Sequence, residues 1–198
     1  WDDLSQPDNN IADSLKDVYA VYKAFFSPWD LSRITESEFG SSIYENINYY
    51  VIRPSISYNF SFKSTPKSTY TVSNFRPSIN NESVKLLYLT DAYESAINCY
   101  LGKNNIPTSD TTIFTPDFNH AEGYKRYEFL TPEMQFIHDH WSPTWHLETH
   151  PMVYSISFNE EGDSALVDYR IAYQGGETIL GKKDGEWEVA YYYMTWIE

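Results

Sequence analysis

The chain contains one cysteine, Cys99. Intramolecular disulfides and cysteine-rich zinc sites are therefore excluded. Cys99 falls in the apolar pattern of an expected helix and is read as a buried structural thiol rather than a nucleophile. Positive charge is scarce too: 14 Lys and Arg stand against 28 Asp and Glu, for a net charge of −14, and no basic run occurs anywhere. A nucleic-acid backbone needs a Lys/Arg footprint, so nucleic acid is excluded as a partner, as are anionic membrane surfaces. Acidity of this size mainly keeps a protein soluble. No apolar run approaches the roughly 20 residues of a membrane-crossing helix, so no membrane span is expected.

What the chain does have is aromatic residues: 18 Tyr, 11 Phe and 6 Trp among 198 residues, with 41% apolar residues overall. That is enough material for a real core. Aromatics favour strands and also line binding surfaces. The length fits a single domain, 1–198. Its acidic, polar start, Trp1 to Asn10, suits a tether behind a cleaved export signal or lipid anchor, which gives an extracytoplasmic expectation, periplasmic or secreted. A trimmed chain accounts for that start equally well.

Ile11, Leu15, Val18, Tyr22 and Phe25 repeat at three and four residues and predict an amphipathic helix, with Asp8 or Asn9 as cap. Ser27-Pro28-Trp29-Asp30 starts a short second helix ending near Gly40. Period-two alternation follows at Ile47, Tyr49 and Val51, and at Ile56, Tyr58, Phe60 and Phe62. Lys63 to Ser68 reads as a turn, and Tyr70 and Val72 as the returning strand. Leu86, Leu89, Tyr93, Ile97 and Tyr100 have helical spacing up to Gly102; a strand from Val84 to Leu89 with Thr90 capping a shorter helix is the alternative. Residues 103–130 read as a loop or insertion. Thr131-Pro132-Glu133 marks a further helix start.

The last 47 residues carry the clearest pattern. Met152 to Phe158 predicts a strand, Glu160 to Asp163 a turn, and Ala165, Val167, Tyr169, Ile171 and Tyr173 the next strand. Gly175-Gly176 reads as another turn, followed by a short extended piece from Thr178 to Gly181. Asp184-Gly185 is a hairpin signal leading into a strand at Trp187, Val189, Tyr191 and Tyr193. The expectation is an α+β fold, with N-terminal helices on a curved antiparallel sheet that ends in a four-stranded meander. Ala165-Leu166-Val167-Asp168-Tyr169, Gly175-Gly176, and Gly181 to Val189 with its Lys-Asp-Gly-Glu-Trp hairpin resemble the nuclear transport factor 2-like superfamily. The resemblance covers about 47 residues closely and about 60 more loosely. It implies a cone-shaped sheet with an internal pocket, in a superfamily of isomerases, dehydratases, small-ligand binders and adaptors. No catalytic set of that superfamily aligns here, and one fold hosts many activities.

All five histidines fall between His120 and His150, four of them between His138 and His150. His146-Leu147-Glu148-Thr149-His150 is one residue out of step with the zinc-protease helix: Glu148 would sit about 200° round from His146. If extended, His146, Glu148 and His150 share a face, but the two histidines lie roughly 13 Å apart. On a helix from Thr131, His138 and His140 point apart. No metal and no cofactor is expected. His146 with Glu148 is the candidate acid–base pair. Trp145, His146, Glu148, His150, Tyr169 and Tyr191 are the candidate ligand-binding residues. The function expected is a non-catalytic domain binding a small apolar or aromatic ligand, or a partner, through an aromatic-lined pocket. The alternative is an isomerase, dehydratase or hydrolase using the His–carboxylate pair. A third reading is an interaction domain forming a homodimer through its open sheet.

Overall fold

A computed structural model describes residues 5–26, 49–62, 68–79, 85–90, 151–171 and 174–197, with short pieces at 100, 125–126, 129–130, 133, 137–138 and 145–146. The expected second helix after Ser27, the turn residues 63–67, Cys99 and most of 103–130 lie outside the described residues, as do Glu148 and His150.

Residues Asp13–Leu15 form one 3-10 turn leading into α1 (Lys16–Phe26). Val18, Val21, Tyr22, Phe25 and Phe26 recur at three- and four-residue steps, so α1 buries one stripe. The expected cap is corrected: Ala12 precedes the turn, with no side-chain cap bond. Asp8 is engaged elsewhere. Its carboxylate accepts from the Tyr19 hydroxyl and from the Arg76 backbone N–H, and its own N–H donates to the Arg76 carbonyl.

Ten strands are seen among the described residues. They are β1 (Tyr49–Ile52), β2 (Ser55–Asn59), β3 (Thr69–Ser73), β4 (Lys85–Tyr88), β5 (Ile137–His138) and β6 (Trp145–His146). They continue with β7 (Met152–Phe158), β8 (Ser164–Ile171), β9 (Gln174–Lys183) and β10 (Glu186–Ile197). Six form the main sheet, ordered β10-β9-β8-β7-β2-β3. Its pairings are antiparallel except β2 with β7, which is parallel. The protein is thus of the α+β class, with a mostly antiparallel sheet. β1 pairs with β4 in parallel, and β5 with β6 antiparallel.

Local chemistry explains where strands start and stop. The β9–β10 hairpin turns on Asp184 and Gly185, both at positive φ (52° and 89°), the two-residue geometry that matches strand twist. The β7–β8 turn is tied by Asn159. Its side-chain Oδ1 accepts the Asp163 and Ser164 N–H groups, while its side-chain amide donates to Glu161 and Asp163. β2 stops at Asn59, whose side-chain oxygen takes the Ser61 N–H away from the ladder.

Three expectations are corrected. Gly175-Gly176 is not a turn but lies inside β9. A Cβ on Gly176 would stand 2.5 Å from the Tyr169 hydroxyl, and one on Gly175 would overlap the Trp196 indole. The two glycines let one ring cross each face of the strand, a packing reason for a strand glycine. The helical spacing through Leu86 gives way to β4, as the strand alternative has it, because one three-residue step from Leu86 to Leu89 is too short a run to specify a helix; Tyr93 and Ile97 lie outside the described residues. The helix expected from Thr131 does not reach His138, which lies in β5.

The core lies between α1 and one face of the sheet. Phe25 packs on Tyr169 with ring centroids 5.2 Å apart, Tyr19 and Tyr22 pack on Phe75, and Phe158 packs on Trp187. Ala165, Val167 and Leu180 are fully buried beneath them. One polar latch closes the seam: Asp17 on α1 accepts from Lys182 Nζ at 2.7 Å and Trp187 Nε1 at 2.9 Å.

Candidate functional site

Residues paired across a ladder point to the same face of a sheet, so the register gives the composition of the face turned away from α1. One row crosses all six strands: Tyr193, Glu177, Asp168, Ser155, Ser57 and Thr71. Every member is polar. The next row holds Tyr191, Ile179, Leu166, Ser157, Asn59 and Thr69. The Asn59 amide donates to Ser157 Oγ at 2.9 Å, which fixes both side chains on that face. On the other side of the polar row, Trp196 crosses Gly175 towards Arg170, whose guanidinium lies 5.7 Å from the indole ring.

Two carboxylates therefore sit side by side, Asp168 against Glu177. Burial, and then the charge of Glu177, raises the Asp168 carboxyl above its ordinary 3.8. The Tyr193 hydroxyl donates to Glu177. That bond, ahead of burial, raises the Tyr193 hydroxyl too, because ionising it would set a phenolate against a carboxylate. The result is a half-buried acid that holds its proton more tightly than a free carboxyl, beside a carboxylate anchored by a phenol. Such a set can exchange a proton or accept a hydrogen bond from a ligand donor.

Where β2 runs out beside the β7–β8 turn, an open groove of about 580 Å³ continues from Ile179. Its apolar lining is Phe60, Phe62 and Ile179; its polar lining is Ser61, Ser164 and Asn159, with Glu160 and Glu161 at the turn. The volume lies in the range of small-ligand sites, ~300–1,000 Å³. Between α1 and the β1–β2 segment, by contrast, the remaining space is about 10 Å³, bordered by Tyr22 and Phe75. That is room for one water at most.

The sequence candidates divide. Tyr169 is buried on the α1 face, and burial pushes its hydroxyl up. Tyr191 is 61% exposed on the other face, stacked on Tyr193 and paired with Ile179. The structure thus brings Tyr191, not Tyr169, alongside the carboxylate pair. The backbones of Trp145 and His146 lie in β6, with His138 opposite Trp145 and Ile137 opposite His146. Among the described residues, no group of three or more His, Cys, Asp or Glu is placed to hold a metal ion. No helix among them is long and apolar enough to cross a membrane.

Sequence reasoning missed Asp168 and Glu177 for one reason. A turn at Gly175-Gly176 would set Asp168 opposite Lys183, a bland ion pair; the true register sets it opposite Glu177. Phe60 and Phe62 were visible as strand residues, but a groove needs the β7–β8 turn beside them. No family model matches the chain, and comparisons with curated proteins and with solved structures give no match.

Proposed function

We propose that this protein is a non-catalytic domain that binds a small apolar or aromatic ligand, and that the ligand lies in the groove of Phe60, Phe62 and Ile179. The observation that carries this reading is the groove itself: about 580 Å³ of open space against three apolar side chains at the end of the sheet. The α1 side supports the same choice where it borders β1 and β2, since the space there is about 10 Å³. The wider architecture, α1 on a sheet closing in the four-stranded run β7–β10, is read as a cone of the nuclear transport factor 2-like kind with its binding site at the rim.

The test is titration with a neutral fluorescent probe, N-phenyl-1-naphthylamine, against the intact chain and a Phe60→Ala, Phe62→Ala double variant. Saturable binding is expected, weakened about tenfold or more in the variant, since burying one Phe side chain is worth about 1.5–3 kcal/mol. No saturable binding, or binding indifferent to the substitutions, overturns the reading.

A second reading, an enzyme of the isomerase, dehydratase or hydrolase kind, gains one observation in its favour. Asp168, its carboxyl raised by burial and by the charge of Glu177 beside it, lies with Glu177 on the same face as Ile179, where the two could serve as an acid–base pair. A substrate screen in which Asp168→Asn retains every activity found would remove it.

A further inference from the structure

We infer that the ligand of the groove carries a positive charge: an organic cation with an aromatic or branched alkyl body, its nitrogen set between the ring of Phe60 and the carboxylates of Glu160 and Glu161. The inference rests on the groove reading above and adds the chemistry of the ligand.

Three features of the groove converge on a cation. The first is charge. Among the described residues, the lining contains two glutamates and no Lys, Arg or His. Glu161 gives one oxygen to the Asn159 amide, while Glu160 has no hydrogen-bond partner among the described residues. Lys182 on β9 is turned to the α1 side, where its ammonium is bound to Asp17 and lies 5.4 Å from the Trp187 ring. No described residue of the lining neutralises the two glutamates, and the whole chain, at −14, adds attraction for a cation at longer range.

The second feature is the ring. Phe60 is 55% exposed, yet it is not loose. It meets Tyr58 edge-on at 5.9 Å, Phe158 at 5.9 Å and Tyr70 at 6.2 Å. A large exposed ring held by three aromatic neighbours is already ordered, so a ligand stacking on it loses little side-chain freedom. The face of such a ring attracts an alkylammonium, most strongly where nearby carboxylates share the charge.

The third feature is how the carboxylates are held. Asn159 makes four hydrogen bonds that fix the turn from Glu161 to Ser164. That turn places both glutamates in the lining of the groove, while Phe62 and Ile179 supply apolar wall for the ligand's body.

The experiment compares two probes of one shape, phenyltrimethylammonium and tert-butylbenzene, titrated into the intact chain and followed by NMR shifts and calorimetry. The variants are Phe60→Ala and the pair Glu160→Gln with Glu161→Gln. Glutamine at 161 still accepts the Asn159 amide, so the turn is kept. The cation should bind about tenfold tighter than its neutral twin, the preference should fall to near unity in the glutamine pair, and raising salt should weaken only the cation. Equal binding of both probes, both weakened by Phe60→Ala, would leave the groove reading standing and overturn the cationic ligand. A preference that survives the glutamine pair would also overturn it, by assigning the selectivity to the overall charge. If neither probe binds, or Phe60→Ala changes nothing, the inference and the groove reading fail together.

Discussion

The two faces of the main sheet use the same kinds of residue for opposite ends. On the α1 side, tyrosines and carboxylates are spent on closure: Tyr19 donates to Asp8, and Asp17 holds Lys182 and Trp187. On the other side a tyrosine and two carboxylates bond or crowd one another, and the groove opens at their end. The difference shows what burial does to polar groups. A polar atom under a helix must be matched to one partner, whereas one on an open face can remain available for a ligand. Tyr169 and Tyr191 illustrate it: one tyrosine is a wall of the core, the other a surface ring.

The comparison can be broken most severely from the closed side. Phe25→Ala removes a fully buried ring from the α1–sheet seam and should cost about 3–5 kcal/mol, read as a loss of the urea midpoint at unchanged slope. Gly176→Ala should cost about 1–3 kcal/mol, because the new Cβ meets the Tyr193 carbonyl at 2.7 Å as well as the Tyr169 ring. Removing the hydroxyl with Tyr169→Phe should not rescue it, since the backbone contact remains.

Asp17→Ala should cost about 1 kcal/mol, chiefly by leaving the Trp187 N–H without its acceptor; the ion pair to Lys182 is largely solvated and adds little. Burial alone would raise the Asp17 carboxyl, but the bonds from Lys182 and Trp187 and the lysine charge outweigh it and the net shift is downward. The contribution of Asp17 is therefore present above about pH 3.8 and is lost as pH falls through its lower folded value. Thermal melts of both proteins from pH 2 to 7 should converge at the acid end.

On the open side the sign reverses. Asp168 is raised, so the folded state binds its proton more tightly than the unfolded chain. The matching stability is complete below pH 3.8 and is lost as pH rises through the folded value. Asp168→Asn should therefore stabilise the protein at pH 7, by a few tenths to about 1 kcal/mol after allowing for the solvent that reaches the face. The gain should vanish below pH 3.8. A destabilised Asp168→Asn at pH 7 would mean that the carboxylate pair is not a cost to the fold, and the contrast between the two faces would lose its sharpest example.

Much of the architecture was legible residue by residue. The α1 stripe, the alternations of β2, β3, β7, β8 and β10, and the Asp184-Gly185 hairpin are statements about neighbours in the chain, and the chain states them directly. The candidate site was barely legible. Asp168 and Glu177 are nine residues apart, and only the register brings them together; a misplaced turn of three residues hides the pair entirely. The groove is harder still, because β2 lies beside β7 by a parallel pairing across about a hundred residues of sequence, and no local pattern announces such a neighbour. Tyr169 and Tyr191 read alike in sequence, each an aromatic in an alternating strand.

Periodicity, turn chemistry and charge balance belong to the sequence alone: they set the class of fold, the hairpin, the lack of any basic run and the abundance of rings. Which ring is core and which is surface, which carboxylate faces which, and where the sheet leaves a space were decided only in three dimensions. The physical reason is that helix and strand preferences act over a few residues, whereas register, face and cavity are set by contacts between segments far apart in the chain, whose closure is won by packing the core and not by any local preference.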